Sequence, residues 1–264
     1  MVLSEIEQRI KNKIEAVGTP LKDWNINIYR GILTGYNEAF IIDGKKKAEL
    51  IAEDPNSAEI IRPILRGRDI KRYSYDFADL WLINTHNGIK EKGIKPIDIA
   101  DYPAIKKHLD TYYPQLEKRA DKGETPYNLR NCAYIEDFSK QKIIFQEMVQ
   151  EPSFILDEKG DYMCLDTARI IVGEELDLLL TIMNSKLFFY SIKTFYGGGG
   201  LGETGVRMKH TFFENFPMPK LNESQKNQLR QLLIEPILKS SEINTIIYSA
   251  YNFDNEEIGF IEFQ

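Results

Sequence analysis

Cysteine and histidine are scarce in this sequence, which has two cysteines and three histidines among 264 residues. Cys132 and Cys164 lie far apart in the chain and belong to no C-x-x-C pattern. The histidines are isolated from one another and form no metal-ligand set. Cysteine usage of this kind suits a reducing compartment, so we expect a cytoplasmic protein without a metal site.

Long apolar runs are also missing. No stretch of about 18 apolar residues occurs, which argues against a membrane-spanning helix. The first residues alternate charged and apolar side chains and lack the apolar segment of a signal peptide. Hydrophobic residues nevertheless make up 42% of the chain and aromatic residues 11%, which favours a folded globular protein.

The chain has no overall excess of positive charge, since its net charge is −6. This argues against bulk electrostatic attraction to nucleic acid. The charge is uneven, however: residues 62–72 carry five basic groups and one acidic group, whereas the last 44 residues carry three basic and seven acidic groups. The acidic end can therefore mask a basic face elsewhere, although ordinary solvated charge also accounts for these clusters.

Complete catalytic motifs are absent as well. Gly197, Gly199 and Gly202 match the G-x-G-x-x-G spacing, but a long helix is predicted before them, where a dinucleotide fold requires a strand. The order Gly202-Glu203-Thr204 also places a glutamate where a P-loop needs lysine. Both nucleotide-binding interpretations fail, and the loop is expected to be a mobile segment that becomes ordered on a phosphate backbone, with a plain linker as the alternative.

Hydrolase and methyltransferase motifs are also missing or incomplete. No G-x-S-x-G or H-E-x-x-H pattern is present, and "NFPMP" at 215–219 is not the loop that an adenine methyltransferase uses. Asp43-Gly44-Lys45 faintly resembles a metal-dependent nuclease motif, although Asp-Gly after a strand is more often a turn.

The hydrophobic periodicity predicts an α+β protein, because strands and helices do not alternate regularly. Helices are predicted at 3–17, 101–119, 174–194, 222–239, 241–250 and 254–262, and strands at 25–33, 38–42, 70–77, 80–86, 142–149 and 153–171. The first two strands are expected to join through a Gly35-Tyr36-Asn37 turn, the helix at 174–194 to be continuous, and "DEKGD" at 157–161 to form a hairpin turn.

The segment from Arg66 to Arg72 is the best candidate for a binding surface. Basic side chains alternate there with Gly67 and precede Tyr73, which suits phosphate contacts and the reading of guanine edges. Tyr36 and Asn37 add a stacking ring and an amide suited to an adenine edge. Taken singly, each of these residues can also be an ordinary surface, core or turn residue.

Several phrases together resemble a known family. "PLKDWNINIYRGILTGYNEAFIID" (20–43), "IIRPILRGRDIKRY" (60–73), "KQKIIFQEM" (140–148) and "LLLTIMNSKLFFYSIKTF" (178–195) occur here in order. With the glycine loop and "RMKHTFFENFPMPKLNESQ" (207–225), they are similar to the TaqI-like C-terminal specificity domain of type IIG restriction–modification enzymes. The last arrangement also resembles type I restriction specificity subunits.

This resemblance implies a β-rich target-recognition domain with a long helix and a C-terminal helical segment. It divides the chain into a connector helix (1–20), a recognition body (21–173) and the long helix, glycine loop and helical tail (174–264). It implies contacts with double-stranded DNA by Tyr36, Asn37, Arg66, Arg68, Lys71, Arg72, Asn128, Arg130, Lys193, Arg207, Lys209 and His210. Asn128 and Arg130 are candidates for reading base edges, whereas Lys71, Arg72, Arg207, Lys209 and His210 are candidates for backbone contacts.

The resemblance also implies a larger parent enzyme. Such enzymes join an adenine-N6 methyltransferase and an endonuclease, which use S-adenosylmethionine and Mg²⁺, and neither catalytic part nor cofactor is expected in this chain. The helix at 3–17 would then connect to the missing part. Two alternatives stay open: a protein-docking module that does not bind DNA independently, and a nuclease that uses Asp43 and Lys45.

Overall fold

The computed structural model describes residues 2–197, 205–235 and 238–264. Helices and strands follow one another irregularly within these ranges, which confirms the α+β class. The helices are α1 (Glu5–Val17), α2 (Asn37–Phe40), α3 (Gly44–Glu53), α4 (Pro103–Asp110), α5 (Tyr113–Lys118), α6 (Leu176–Met183), α7 (Lys186–Thr194), α8 (His210–Phe213), α9 (Glu223–Ile234), α10 (Ser240–Ala250) and α11 (Asn255–Phe263).

The strands form two four-stranded sheets and two short pairs. They are β1 (Thr19–Pro20), β2 (Ile26–Arg30), β3 (Ile41–Asp43), β4 (Ile61–Leu65), β5 (Leu80–Ile83), β6 (Lys142–Gln146), β7 (Met148–Val149), β8 (Phe154–Asp157), β9 (Met163–Cys164), β10 (Ala168–Gly173), β11 (Val206–Arg207) and β12 (Pro217–Met218). The central sheet has the order β2-β10-β6-β8, and the second sheet has the order β3-β5-β4-β9. The remaining strands pair as β1 with β12 and β7 with β11.

The central sheet is antiparallel and separates two hydrophobic cores. Alternate residues of a strand point to opposite faces, so Ile171 and Phe145 enter one core while Ile170 and Ile144 enter the other. The first, which we call the helix-side core, also contains buried residues of α1, α6, α7 and α9–α11. The second, the sheet-side core, contains residues of the second sheet and of α3–α5.

The two sheets are joined where β2 ends. The Ile32 amide donates to the Cys164 carbonyl at 2.7 Å, and the Leu165 amide donates to the Leu65 carbonyl at 2.9 Å. Gly31 makes this approach possible, because a Cβ atom at that position would lie 2.0 Å from the Leu165 carbonyl oxygen. The ends of β2 and β4 are therefore brought to the same region of the molecule.

The predicted amphipathic helix near the N-terminus is confirmed. Ser4 and Glu7 form a capping box, and Ile10 and Ile14 are buried in the helix-side core. Lys13 forms an ion pair with Glu257 of α11 at 2.6 Å. The helix is thus docked on the C-terminal helices. Its role as a connector to a catalytic part stays a prediction.

The continuous helix predicted at 174–194 is wrong, because two helices, α6 and α7, occupy this range. The break falls at Asn184 and Ser185. The Asn184 side chain bonds both backbone groups of Phe154, at 3.1 and 2.9 Å, and the Ser185 hydroxyl accepts from the Phe188 amide to start α7. The helix predicted at 101–119 is likewise divided into α4 and α5.

The predicted hairpins are also wrong. The strands expected on either side of the 35–37 turn lie in different sheets, and α2 begins at Asn37. The turn at 157–161 leads from β8 in the central sheet to β9 in the second sheet. The predicted strand at 70–77 is an irregular loop, in which Tyr73 has a positive φ of 59°. Pairing between distant strands prevails over local turn signals at these sites.

None of the helices within the described ranges combines the length and the apolar character that a bilayer crossing requires.

Candidate nucleic-acid interface

Basic side chains from separate strands meet at one end of the central sheet. β2 ends at Arg30, which lies opposite Arg169 of β10 in the strand register, so both side chains start from the same face. Arg169 donates to Glu147, just past the end of β6, at 3.0 Å, and Arg30 donates to Asp166 at 2.9 Å. No local sequence pattern marks Arg30 or Arg169, because only strand pairing brings them together.

Glu147 links this group to the segment that follows the glycine loop. Its second carboxylate oxygen accepts from Arg207 Nε at 3.2 Å, and its carbonyl accepts from the Met208 amide at 2.6 Å. Burial acts to raise the pKa of Glu147, but the charges and hydrogen bonds of Arg169 and Arg207 outweigh it and hold the pKa below its usual value. One carboxylate therefore holds two arginines, of which Arg207 is half-exposed.

The basic segment 66–72 starts at the end of β4 and reaches the same region. The Gly67 amide donates to the Thr167 hydroxyl at 2.9 Å. A Cβ atom at Gly67 would lie 2.6 Å from the Thr167 carbonyl oxygen and 3.2 Å from Gln146 Cγ. The segment is thus packed against the start of β10 and the end of β6, beside Glu147. The segment 66–72 and Arg207 therefore both lie close to the end of β6.

Arg66 itself is not available as a free charge. Its Nη2 and Nε donate to the Asp69 carboxylate at 2.7 and 2.9 Å, and its backbone amide donates to the same carboxylate at 2.8 Å. Burial acts to raise the pKa of Asp69, but the bonds from Arg66 hold it below its usual value. Arg66 thus stabilises the turn, while Arg68 and Lys71 carry the exposed charge.

A groove of about 440 Å³ lies between these two segments. We call it the ribbon groove, because β7, which pairs with β11 in a two-stranded ribbon, forms one wall. It is lined by Ile70, Lys71, Gln146, Met148, Val149, Gln150, Glu151, Ser153 and Gly205. Residues 198–204 of the glycine loop lie outside the described residues, but Gly205 brings the end of that loop to the groove.

A second group of predicted residues lies on two loops held by Arg119. Its buried guanidinium donates to the carbonyls of Thr34, Asp121 (2.7 Å), Pro126 (3.0 Å) and Asn128 (2.6 Å). Burial lowers the pKa of Arg119 to about 10. Arg119 therefore fixes the loop that bears Tyr36 and Asn37 beside the loop that bears Asn128 and Arg130. No local sequence signal marked Arg119 for this role.

Asn128 does not fit its predicted role in reading base edges. Its side chain is buried, its amide donates to the Ile97 carbonyl at 2.9 Å, and its amide oxygen accepts from Thr125 at 2.7 Å. These bonds occupy the groups that a base would need. Arg130 is exposed and donates to Asp121 at 3.0 Å.

Tyr36 and Asn37 lie next to each other at the start of α2. Asn37 is exposed, and its amide oxygen accepts from the Thr34 hydroxyl at 2.5 Å. The Tyr36 hydroxyl donates to Glu38 at 2.9 Å, and its ring lies 6.0 Å from the ring of Tyr112. Arg30 connects the basic side chains of the sheet end to the two loops held by Arg119, because Arg30 and Arg130 line the same cavity of about 160 Å³.

The remaining predicted residues differ in accessibility. Arg72 lies near Tyr73, with its guanidinium carbon 5.8 Å from the Tyr73 ring. It also lies near Tyr248 of α10. Burial raises the pKa of Tyr248, and the positive charge of Arg72 partly opposes that rise. Lys193 is exposed in the last turn of α7. Lys209 and His210 are half-buried at the start of α8, and His210 Nδ1 has no hydrogen-bond partner among the described residues.

The nuclease alternative gains no structural support. Asp43 is the N-cap of α3, where its carboxylate accepts from the Lys46 amide at 2.7 Å. Within the described ranges, no three His, Cys, Asp or Glu side chains are grouped so that they could hold a metal ion. The exposed arginines and lysines of the sheet end instead supply positive charge and hydrogen-bond donors, which suit an anionic backbone.

Comparisons with known proteins give matches in sequence and in fold. The profile of the TaqI-like C-terminal specificity domain matches residues 62–217. The structure of the type IIL restriction–modification enzyme MmeI in complex with DNA matches 93% of this chain with a TM-score of 0.66 and 13% identity. The type IIG restriction endonuclease BpuSI matches 97% with a TM-score of 0.63 and 16% identity. The present chain covers 35% and 31% of those chains, so it spans about a third of their length.

Proposed function

Because this chain belongs to the family of TaqI-like C-terminal specificity domains, we propose that it binds double-stranded DNA and recognises a specific base sequence. In this proposal it serves a restriction–modification enzyme whose methyltransferase and endonuclease lie in other parts of the protein. Those parts would bind S-adenosylmethionine and Mg²⁺, and no residue described above is assigned to either.

One observation carries the proposal: cationic side chains that are distant in sequence converge at one end of the central sheet. Arg30, Arg68, Lys71, Arg169 and Arg207 come from four segments, and carboxylates hold three of them: Asp166 pairs with Arg30, and Glu147 pairs with Arg169 and Arg207. A protein that neutralises DNA phosphates with such residues releases counterions, so its affinity falls as salt rises. The local charge makes this possible although the whole chain is anionic.

The experiment is a fluorescence anisotropy titration of the full chain with a random-sequence duplex over a range of salt concentrations. We expect the logarithm of the binding constant to fall linearly with the logarithm of the salt concentration, by about 0.9 for each phosphate contacted. The double variant Arg68→Ala/Lys71→Ala removes two exposed cations. It should reduce the slope by about two and weaken binding to all sequences alike.

Lys226→Ala is the matched control. Lys226 pairs with Glu175, which follows the C-terminal end of β10, whereas Arg169 lies at the other end of that strand. Binding by this variant should equal that of the unmodified chain. Absence of duplex binding even at low salt would contradict independent DNA binding. If the chain then bound a separately produced methyltransferase part without DNA, the protein-docking alternative would replace it.

A further inference from the structure

We infer that the segment Gln146–Gln150 reads base edges in the DNA major groove, and that the recognised sequence contains an A·T pair at this position. The inference rests on the proposed function and deepens it, because it assigns recognition to residues that the sequence analysis did not select. Its basis is the ribbon groove, in which three side chains of this segment lie on the same side.

The side chains that line the groove differ from the one that holds the arginines. Gln146, Met148 and Gln150 line the ribbon groove. Glu147 instead bonds Arg169 and Arg207. Val149 is 7% exposed and belongs to the helix-side core, although it borders the groove as well. The segment is therefore anchored on one side and presents two amides and a thioether on the other.

The exposure of these side chains suits recognition better than folding. Met148 is 55% exposed, although it is apolar and lies on a charged part of the surface. Gln150 is exposed and Gln146 is half-buried, and within the described ranges neither side-chain amide makes a hydrogen bond. The two amides are thus unpaired and border the groove, and the Met148 side chain is available for an apolar contact.

The strand pair beside the groove is of a kind that can enter duplex DNA. β7 and β11 form a two-stranded antiparallel ribbon, and the DNA major groove is wide enough to admit such a ribbon. Arg207 lies opposite Met148 in the pairing, and Lys71 lines the same groove. Arg207 and Lys71 are thus placed near Met148, where they can contact the phosphates that border the major groove while the groove-lining side chains meet the bases.

The chemistry of the side chains selects the bases. A glutamine amide can bond adenine N6 and N7 together, and an apolar side chain can contact the methyl group of thymine. Glu151, which also lines the groove, would repel a phosphate but can accept from the amino group of a base. An amide, a thioether and a carboxylate in one groove are a combination suited to base edges.

The test starts with the full chain and a randomised duplex pool, from which bound sequences are recovered and sequenced. The duplex selected most strongly is then made with 7-deaza-adenine, which lacks N7, or with deoxyuridine, which lacks the thymine methyl group. We expect 7-deaza-adenine at one position to weaken binding roughly tenfold. We expect deoxyuridine at a neighbouring position to weaken binding about fourfold.

The variants assign each effect to a side chain. At least one of the variants Gln146→Ala and Gln150→Ala should lose the sensitivity to 7-deaza-adenine. Met148→Ala should lose the sensitivity to deoxyuridine. Gln231→Ala, an exposed glutamine of α9, is the matched control and should keep both sensitivities. Thermal melting of each variant verifies that the exposed substitutions leave the fold intact.

The outcomes separate this inference from the proposed function. If the unmodified chain retains no duplex from the pool at low salt, the proposed function fails together with the inference. If it selects a sequence, but all three variants keep the sensitivities of the unmodified chain, the inference alone is overturned. A selected sequence without any A·T pair would overturn it as well.

Discussion

At the scale of single residues, carboxylates decide which arginines can meet a ligand. Glu147 holds Arg169 and Arg207, and Asp69 occupies Arg66 almost entirely. A count of basic residues in the sequence locates the segments 62–72 and 207–210, but it does not show which charges are neutralised within the fold. That depends on side-chain geometry at contacts such as Arg66–Asp69.

Glu147→Gln should strengthen DNA binding, because the amide keeps the shape of the side chain but no longer neutralises two arginines. We expect tighter binding at low salt and a salt dependence steeper by about one. Anisotropy titrations would measure both. Glu158→Gln, on the exposed 157–161 turn, is the control. Weaker binding by Glu147→Gln would show that the carboxylate itself supports the interface.

The same substitution should lower the free energy of unfolding in a pH-dependent way. The folded state lowers the pKa of Glu147, so its charged form stabilises the fold above the unfolded pKa of about 4.3. That stabilisation disappears as the pH falls through the folded pKa. The difference between the unmodified chain and Glu147→Gln should therefore be largest at neutral pH and shrink in acid, as measured by urea unfolding.

At the scale of elements, the side chain of Asn184 pairs with the edge strand β8 as the backbone of a neighbouring strand would. It bonds both the amide and the carbonyl of Phe154, at 3.1 and 2.9 Å, along the open edge of β8. The apolar run at 174–194 correctly predicted helical structure, as did the periodicity of α1 and α9–α11. The break could not be predicted, because the partner of Asn184 lies 30 residues earlier in the chain.

Asn184→Ala should destabilise the protein by about 2–3 kcal/mol, since a buried backbone amide loses its partner along with a second hydrogen bond. Urea unfolding followed by circular dichroism would measure the loss. Asn244→Ala is the matched control, because Asn244 is also buried but its two hydrogen bonds are long, at 3.4 Å each, and therefore weak. It should cost about 1 kcal/mol or less. Equal losses in the two variants would contradict the role given to Asn184.

At the scale of the whole molecule, the central sheet belongs to both cores. Ile171 and Phe145 face the helix side, and Ile170 and Ile144 face the other side. Sequence reasoning predicted the α+β class from the irregular order of elements. It could not predict the layered arrangement, because β2, β10 and β6 are brought together from distant parts of the chain.

Both cores should therefore unfold in one transition. The sequence has two tryptophans, of which Trp24 packs against the helix-side core and Trp81 against the sheet-side core. Trp81→Phe leaves a reporter for the first core, and Trp24→Phe leaves one for the second. We expect the urea midpoint of each variant by fluorescence to coincide with its midpoint by circular dichroism. Separate midpoints would show that one core unfolds independently.

The ribbon of β7 and β11 is anchored by Val149 and Val206, both of which are buried, while Met148 beside them is exposed. Replacement of such an outward-facing residue disturbs neither core and costs little stability. If this surface reads DNA as proposed, a lineage with this architecture can alter its preferred target by single, individually viable substitutions while the scaffold persists. Recognition would then diversify independently of the fold.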